Sequence, residues 1–373
     1  MRRMKEFFRE WAATLVVGCL AAPFDVVLFA AEVAGPLDAV RDPALGADVV
    51  VSRGFVFGEL PTPSCHASTV VETTPGTLAA AWFGGQHEGA ADVGIWLSRR
   101  EGGAWSLPEQ VAAWRDPDGS QRPCWNPVLF KMPEGSLALF YKASGSPRTW
   151  TGLVRRSGDG GKTWSEPAAI ARQPGSQTTL ARVPVGPIKN KPVVVVGGDV
   201  IVAPSSTEDV GWRVHFERST DGGRTWQVIG PVNDGATIGA IQPSILRLGG
   251  PRLLAIGRTQ NKRVFRIESE DGGLTWGEMT LLDLPNPDAG TDAVTLADGR
   301  HLLVYNHSEK NRWPLNVAVS IDGTAWTPVV TLEAEPGEYS YPAIIQAADG
   351  MVHVTYTWKR KKIAYAVLDP AKL

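Results

Sequence analysis

The sequence predicts an all-β fold, a six-bladed β-propeller of four-stranded blades, on three observations. Forty glycines and fourteen tryptophans accompany no long stretch of helical period, which is the composition of short strands joined by tight turns. One turn recurs: SGDGGKTW at 157–164, STDGGRTW at 219–226 and SEDGGLTW at 269–276, with weaker copies in SRREGGAW at 98–105 and SIDGTAW at 320–326. Its spacing of roughly 50–60 residues marks an array of supersecondary units. Finally, the turns fall at the same place in a four-strand unit that can be counted six times, with a count of seven left open. Repeating such sheets around an axis leaves few exposed edges.

In chain order, residues 1–48 come first, as a signal- or anchor-like segment and linker. A basic start followed by an apolar stretch, MRRMKEFFREWAATLVVGCLAAPFDVVLFAA, is the pattern of an export signal. VVGC at 16–19 resembles a lipoprotein cleavage box with Cys19 as the lipidated residue, so a membrane or lipid contact is expected here alone. Glu6, Glu10, Pro23 and Asp25 interrupt the pattern and leave a cytoplasmic protein with an extension as the alternative to a periplasmic, secreted or lipid-anchored one. The segment VVVSRGFVF at 49–57 precedes the first unit and can supply the strand that the sixth unit lacks, closing the ring over 49–373.

The six units then open on HASTVVETTPG, NPVLFKMPEG, KPVVVVGGD, QPSILRLGG, DAVTLADG and YPAIIQAADG. Second strands (TLAAAWFG through MVHVTYTW) and third strands (DVGIWLS through KIAYAVLD) follow, and a fourth follows the repeated turn in the first five units. In that turn Asp and Ser side chains can bond backbone amides, Gly-Gly permits positive φ, and Trp supplies apolar packing. The repeated turns are therefore read as staples rather than as sites of chemistry.

Composition excludes several functions. A net charge of −2 provides no basic field for nucleic acid. Three cysteines, Cys19, Cys65 and Cys124, exclude a disulfide scaffold and a CxxC zinc site, with pairing of Cys65 and Cys124 left open. No cofactor is expected, and no metal, because His66, His87 and His307 lack ligand spacing.

In a propeller the first strands surround the axis, so their entry ends converge on one face. Those ends carry His66, Asn126, Lys191, Gln242, Asp292 and Tyr341. Second strands return to that face with His87, Tyr141 beside Lys142, Arg258 and His307, and third strands leave it from Asp92, Arg213 and Arg312. An antiparallel hairpin over 65–89 places His66 and His87 at one edge. The expected result is a bowl of Arg, His, Tyr and Asp that suits an anionic ligand held by charge-assisted hydrogen bonds.

The turns and the bowl together resemble the sialidase superfamily, whose Asp-box repeats read S-x-D-x-G-x-T-W and whose propeller has six blades; the resemblance covers 49–373. It implies an exo-acting glycosidase for an acidic sugar, with three arginines on the sugar carboxylate, a tyrosine nucleophile assisted by a glutamate, and a loop aspartate as acid/base. Arg258 in RLLAIGRTQ and Arg312 in NRWPLNVAVS are similar to the second and third arginines. Tyr341 in EYSYPAIIQAADG is similar to the nucleophile, with Tyr339 as the alternative. Three positions depart: SCHAS puts His66 near the place of the first arginine, Gln242 replaces the glutamate, and His87 with Asp92 replaces the loop acid.

The histidines also resemble the uronate-cleaving lyases of the ulvan and rhamnose-glucuronate type. There Arg258 and Arg312 would neutralise the carboxylate while His66, His87, Tyr141 and Tyr341 exchange protons. Asn126, Gln242, Asp292, Arg213, Lys191 and His307 are expected substrate contacts, with Glu88 and Glu208 as loop reserves. The expected partner is an acidic glycan, to be hydrolysed, eliminated or, in a third reading, only bound.

Overall fold

Short runs of apolar residues cut by Gly, Pro and Asp turns fold as antiparallel hairpins in a computed structural model. It describes residues 39–373 apart from 60, 175, 177, 181, 182, 184 and 196. The export- or anchor-like segment and Cys19 lie outside the described residues. Six sheets form a six-bladed propeller, each blade meandering outward from an inner strand.

Blade 1 runs from Ser64–Thr74 through Thr77–Gly85 to Gly94–Glu101, with Ala104–Trp105 and Glu109–Ala112 on its outer edge. Blade 2 uses Cys124–Lys131, Leu137–Ala143, Thr151–Ser157 and Ala168–Ala169. Blade 3 uses Val193–Val194, Ile201–Thr207, Arg213–Ser219 and Thr225–Ile229, and adds Ala171–Arg172 in parallel. Blades 4 and 5 start at Ala240–Gly249 and Asp292–Thr295. Blade 6 comprises Tyr339–Gln346, Val352–Trp358 and Lys362–Leu368, and its outer strand is Val50–Phe55, from the other end of the chain. Among the described residues no helix is long and apolar enough to cross a membrane.

The repeated turn works as its residues dictate. In blade 2, Asp159 Oδ1 accepts from Lys162 N (3.0 Å) and Thr163 N (2.9 Å), while Ser157 Oγ accepts from Gly161 N (2.8 Å). Ser219 with Asp221 and Ser269 with Asp271 repeat these bonds.

The turn tryptophan packs on the preceding blade rather than on its own sheet alone. Trp226 meets Phe140 of blade 2 edge-on at 6.0 Å, Trp276 stacks on Phe216 of blade 3 at 3.7 Å, and Trp105 meets Tyr365 of blade 6 at 5.3 Å. Trp164 joins the apolar cluster of blades 1 and 2, and Trp326 that of blades 4 and 5. Trp226 is fully buried by its joint and the other four indoles are half-buried by theirs; a fully buried aromatic side chain covers roughly 150–250 Å².

Entry to the inner strands is bulged. Asn126 (φ 41°), Gln242 (φ 54°) and Tyr341 (φ 50°) sit at positive φ just before a proline, and the pairing slips beside each. Blade 1 has the same bulge at Ala67 (φ 57°), so His66 stands one residue ahead of the position that Asn126, Gln242 and Tyr341 share. Proline suits the bulge because it has no amide for the ladder to miss.

Four residues expected in the bowl, Tyr141, Lys142, Lys191 and Asp292, are taken up elsewhere. Tyr141 is fully buried in the core of blades 1 and 2, where burial raises its phenol well above the usual range. Neighbouring residues of a strand face opposite ways. Its neighbour Lys142 is buried too and donates to Pro187 O at 2.8 Å. Asp292 and Lys191 pair with each other at 2.9 Å inside the axis. Asp292 also accepts from Ser244 Oγ and Ile344 N, both at 2.9 Å, which ties blades 4, 5 and 6 together. Cys65 and Cys124 are both buried free thiols, pushed up to about 12 by burial.

Candidate active site

The bulge at Tyr341 turns its ring toward the axis, where Gly290 makes room for it. A Cβ at 290 would stand 3.2 Å from both Tyr341 Cδ2 and Lys189 Cε. Beneath the ring, the fully buried Lys189 gives its Nζ protons to Asn190 Oδ1, Thr291 O and Pro342 O, joining blades 3, 5 and 6. Arg258 closes the second strand of blade 4 and donates from Nη2 to Tyr341 Oη at 2.9 Å and from Nη1 to Asp288 O at 2.8 Å. Its guanidinium also lies over Trp212, 4.8 Å from the ring centroid. Tyr341, rather than Tyr339, makes this contact; Tyr339 is 1% exposed in the core of blades 5 and 6.

His66 packs on the other partner of this pair, its ring centroid 4.2 Å from that of Tyr341. Thr357 Oγ1 accepts from Ala67 N at 3.1 Å and lies 3.0 Å from His66 Nδ1, in a hydrogen bond whose direction follows the imidazole tautomer. Burial first, and then the charges of Arg360, Arg312, Arg258 and Lys189, hold His66 well below its ordinary value. The imidazole is therefore neutral at pH 7.

Two further arginines share a carboxylate beside this group. Arg312 Nη1 and Arg360 Nε donate to Glu338 Oε1 at 2.9 and 2.8 Å, and Arg360 also pairs with Glu88. Burial pushes the Glu338 carboxyl up, but the hydrogen bond and charge of Arg360, with Arg312 adding to them, bring it below its ordinary value.

The remaining predicted residues scatter. His87 is exposed, with Nδ1 3.1 Å from Glu88 O, and makes no hydrogen bond to His66 among the described residues. Asp92 accepts from Gln86 N at 3.1 and 3.2 Å, closing the loop that follows. Gln242 is 1% exposed; its backbone is tied to Asn190 and Ser206, and its Oε1 has no partner among the described residues. Asn126 is buried at its bulge, Arg213 pairs with Asp209 at 3.3 Å, and the His307 ring bonds Tyr305 Oη. None of these three touches the Arg258–Tyr341 pair through a hydrogen bond.

A family model described as a BNR repeat-like domain matches residues 76–354. The chain belongs to that family. A curated sialidase of Bacteroides fragilis (strain YCH46) is 24% identical over 324 residues, which is 79% of this chain and 52% of the relative, so the chain spans about half that protein's length. Among solved structures, a protein of unknown function from Dyadobacter fermentans DSM 18053 matches with a TM-score of 0.71 and 18% identity, over 86% of this chain and 98% of that one. The NanB sialidase of Streptococcus pneumoniae matches with a TM-score of 0.67 and 13% identity, over 86% and 71% of the two chains. At such identities the likeness establishes the fold, which is that of the sialidase-like propellers.

Two groups of this BNR repeat-like propeller were missed or only held in reserve. Arg360 lies in the turn after the second strand of blade 6, at positive φ (57°), and adds a third cation to Arg258 and Arg312. Glu208 follows the second strand of blade 3 and is half-buried. Burial raises its carboxyl above the ordinary value against the pull of Arg258, with Glu88 pushing the same way as burial and Arg148 opposing it. A signal for Glu208 was available in its place at the end of a second strand; Arg360 had none, being one of several cations in a row. Chemically, the site combines an arginine-bonded phenol, a neutral imidazole and a cluster of cations suited to a carboxylate.

Proposed function

We propose that the protein is a glycosidase that removes a terminal acidic sugar by hydrolysis. The observation that carries this reading is the 2.9 Å contact between Arg258 Nη2 and Tyr341 Oη. It sets a guanidinium on the oxygen that would attack the anomeric carbon, with Arg312 and Arg360 nearby to receive the sugar carboxylate. A guanidinium fork matches a carboxylate better than a lysine does. Gln242 has no basic oxygen to activate the tyrosine, and the neutral His66 packed against the Tyr341 ring takes that role in the tautomer whose Nδ1–H donates to Thr357 Oγ1 and leaves Nε2 unprotonated. The name of the curated relative, a sialidase, supports the same substrate class.

A second reading, β-elimination at a uronate, is favoured by that same neutral histidine beside a tyrosine. The two reactions leave different products. Incubation with a panel of acidic glycans is expected to release an acidic monosaccharide and a new reducing end, without ultraviolet absorbance from a 4,5-double bond. Absorbance without a released monosaccharide would establish the lyase. Neither signal across the panel would leave a propeller that only binds glycans, and would overturn the glycosidase.

A further inference from the structure

Beyond Arg258 the bowl continues into a cleft of about 340 Å³. It is lined by Pro147, Arg148, Glu208, Gly211, Trp212 and Gln260. That volume lies in the size class of small-ligand clefts, roughly 300–1,000 Å³. Trp212 both lines the cleft and carries the Arg258 guanidinium, so the cleft begins one side chain away from the Arg258–Tyr341 pair. The half-exposed indole offers a flat apolar face, and Gln260 and Arg148 offer donors near it. Asp209 is engaged with Arg213 and Val210 N, which leaves Glu208 as the uncommitted carboxylate of the lining.

We propose that this cleft holds the neutral sugar on the leaving side of the scissile bond and that Glu208 is the acid that protonates its oxygen. The proposal rests on the glycosidase reading above and adds a residue and a subsite to it. As Tyr341 Oη bonds the sugar carbon and yields its proton to the base of the pocket, His66, the glycosidic C–O bond breaks, its electron pair stays on the leaving oxygen, and that oxygen takes the proton of the Glu208 carboxyl. Water then attacks the same carbon and gives a proton to the Glu208 carboxylate, while the bond to Tyr341 breaks with its pair on the phenol oxygen, which takes back the proton held by the base. The loop acid that the sequence placed at His87 is thereby replaced, since His87 is exposed and bonded to its own loop.

The groups that act on Glu208 come from four elements: Asp209 on its own loop, Arg148 from blade 2, Glu88 from blade 1 and Arg258 from blade 4. A general acid works only while protonated, so activity is present below its pKa and is lost as pH rises through it. Burial moves that loss above the ordinary glutamate value of about 4.3.

The test compares wild type, Glu208→Gln and Trp212→Ala on an acidic trisaccharide and on an aryl glycoside of the same acidic sugar, whose good leaving group needs no acid. Glu208→Gln is expected to lose about 100-fold or more in kcat on the trisaccharide, to stay within about 5-fold on the aryl glycoside, and to lose the alkaline limb of the pH profile. Trp212→Ala also removes the face on which Arg258 rests, so it is expected to weaken both substrates but to raise KM clearly more for the trisaccharide than for the aryl glycoside. Equal loss on both substrates, or no loss on either, overturns the role of Glu208; an unchanged melting temperature separates that result from misfolding. Lactose binding, read by tryptophan fluorescence, tests the cleft without catalysis. Quenching that Trp212→Ala abolishes supports the subsite, and its absence in the wild type overturns it. If the wild type cleaves neither substrate, the glycosidase reading and the acid role fall together, and lactose binding still decides the cleft.

Discussion

Arg258 does two things with one guanidinium: it bonds the Tyr341 hydroxyl and it rests on Trp212. Arg258→Lys keeps the charge but not the fork. A hydrogen bond to a charged group is worth about 1.5–3 kcal/mol, so kcat/KM on an acidic glycan is expected to fall roughly 10–100-fold. Arg258→Ala should lose more, and a neutral analogue of the same glycan should lose part of its rate too, through the Tyr341 contact, but less than the acidic glycan, whose carboxylate also loses a cation. Equal loss on the acidic and the neutral substrate, in parallel assays, would remove the case for carboxylate recognition. Arg258, Arg312 and Tyr341 were legible because the repeat fixes strand ends and these residues stand there. Arg360 was not, because WKRKK at 358–362 offers four cations in a row. Contacts across the fold separate them: Lys359 lies over Trp358, Lys361 donates to Pro63 O, Lys362 lies over Phe55, and Arg360 turns to Glu338 and Glu88.

At the scale of the element, the turn and the bulge decide what a strand presents. The turn of blade 3 joins Asp221, which organises the loop, to Trp226, which is 1% exposed and packs on Phe140 of blade 2. Trp226→Ala should destabilise by about 3–5 kcal/mol, the range for buried aromatics cut to alanine. Asp221→Asn should cost less and in a pH-dependent way. Although burial pushes the Asp221 carboxyl up, hydrogen bonds from Thr225 N and Oγ1, with Ser219 Oγ and Arg224 N, hold it at about 2. Its folded value lies below the ordinary value of about 3.9. Its contribution is therefore complete above that ordinary value and is lost as pH falls through about 2. Melting curves of the two proteins should differ most near neutrality and converge at pH 2; a constant gap would show that the charge is not what the turn uses. The bulges were legible only in part. Asn-Pro, Gln-Pro and Tyr-Pro flag them in blades 2, 4 and 6, whereas Ala67-Ser68 carries no such flag, so His66 was aligned one residue late. Tyr141 is illegible for a related reason: whether a strand residue faces the core or the bowl depends on register, which strand position alone does not set.

For the molecule as a whole, the question is how a ring with five indole joints closes at the sixth. Trp105, Trp164, Trp226, Trp276 and Trp326 join blades 1 to 5 each to the blade before it, and blade 6 has no turn of this kind. Residues 40–55 take its place. Val40 O accepts from Asn316 Nδ2 and Thr331 Oγ1 of blade 5, and Leu45 O accepts from Thr331 N. Val50–Phe55 then pairs with the last strand of blade 6, while Arg53 donates back to Thr331 O and Leu332 O of blade 5. One segment thus supplies a missing strand and a missing joint, which is why a propeller with an incomplete sixth unit still has no open edge there. The outer strand was legible as an apolar run without a partner; the joint was not, since it consists of backbone carbonyls that any residue could provide. A chain beginning at Gly58 should lose both and expose Lys362–Leu368 as an edge, with its melting temperature lowered by about 10 °C or more and a tendency to associate through that edge. A chain beginning at Pro36 keeps residues 40–55 and is the reference for that loss. Adding a peptide of residues 49–57 to the shortened chain should raise its melting temperature again, because a free strand can refill a sheet edge. Equal melting of the two shortened chains would mean that the six blades hold their ring without the closing segment, and that the indole joints alone carry it.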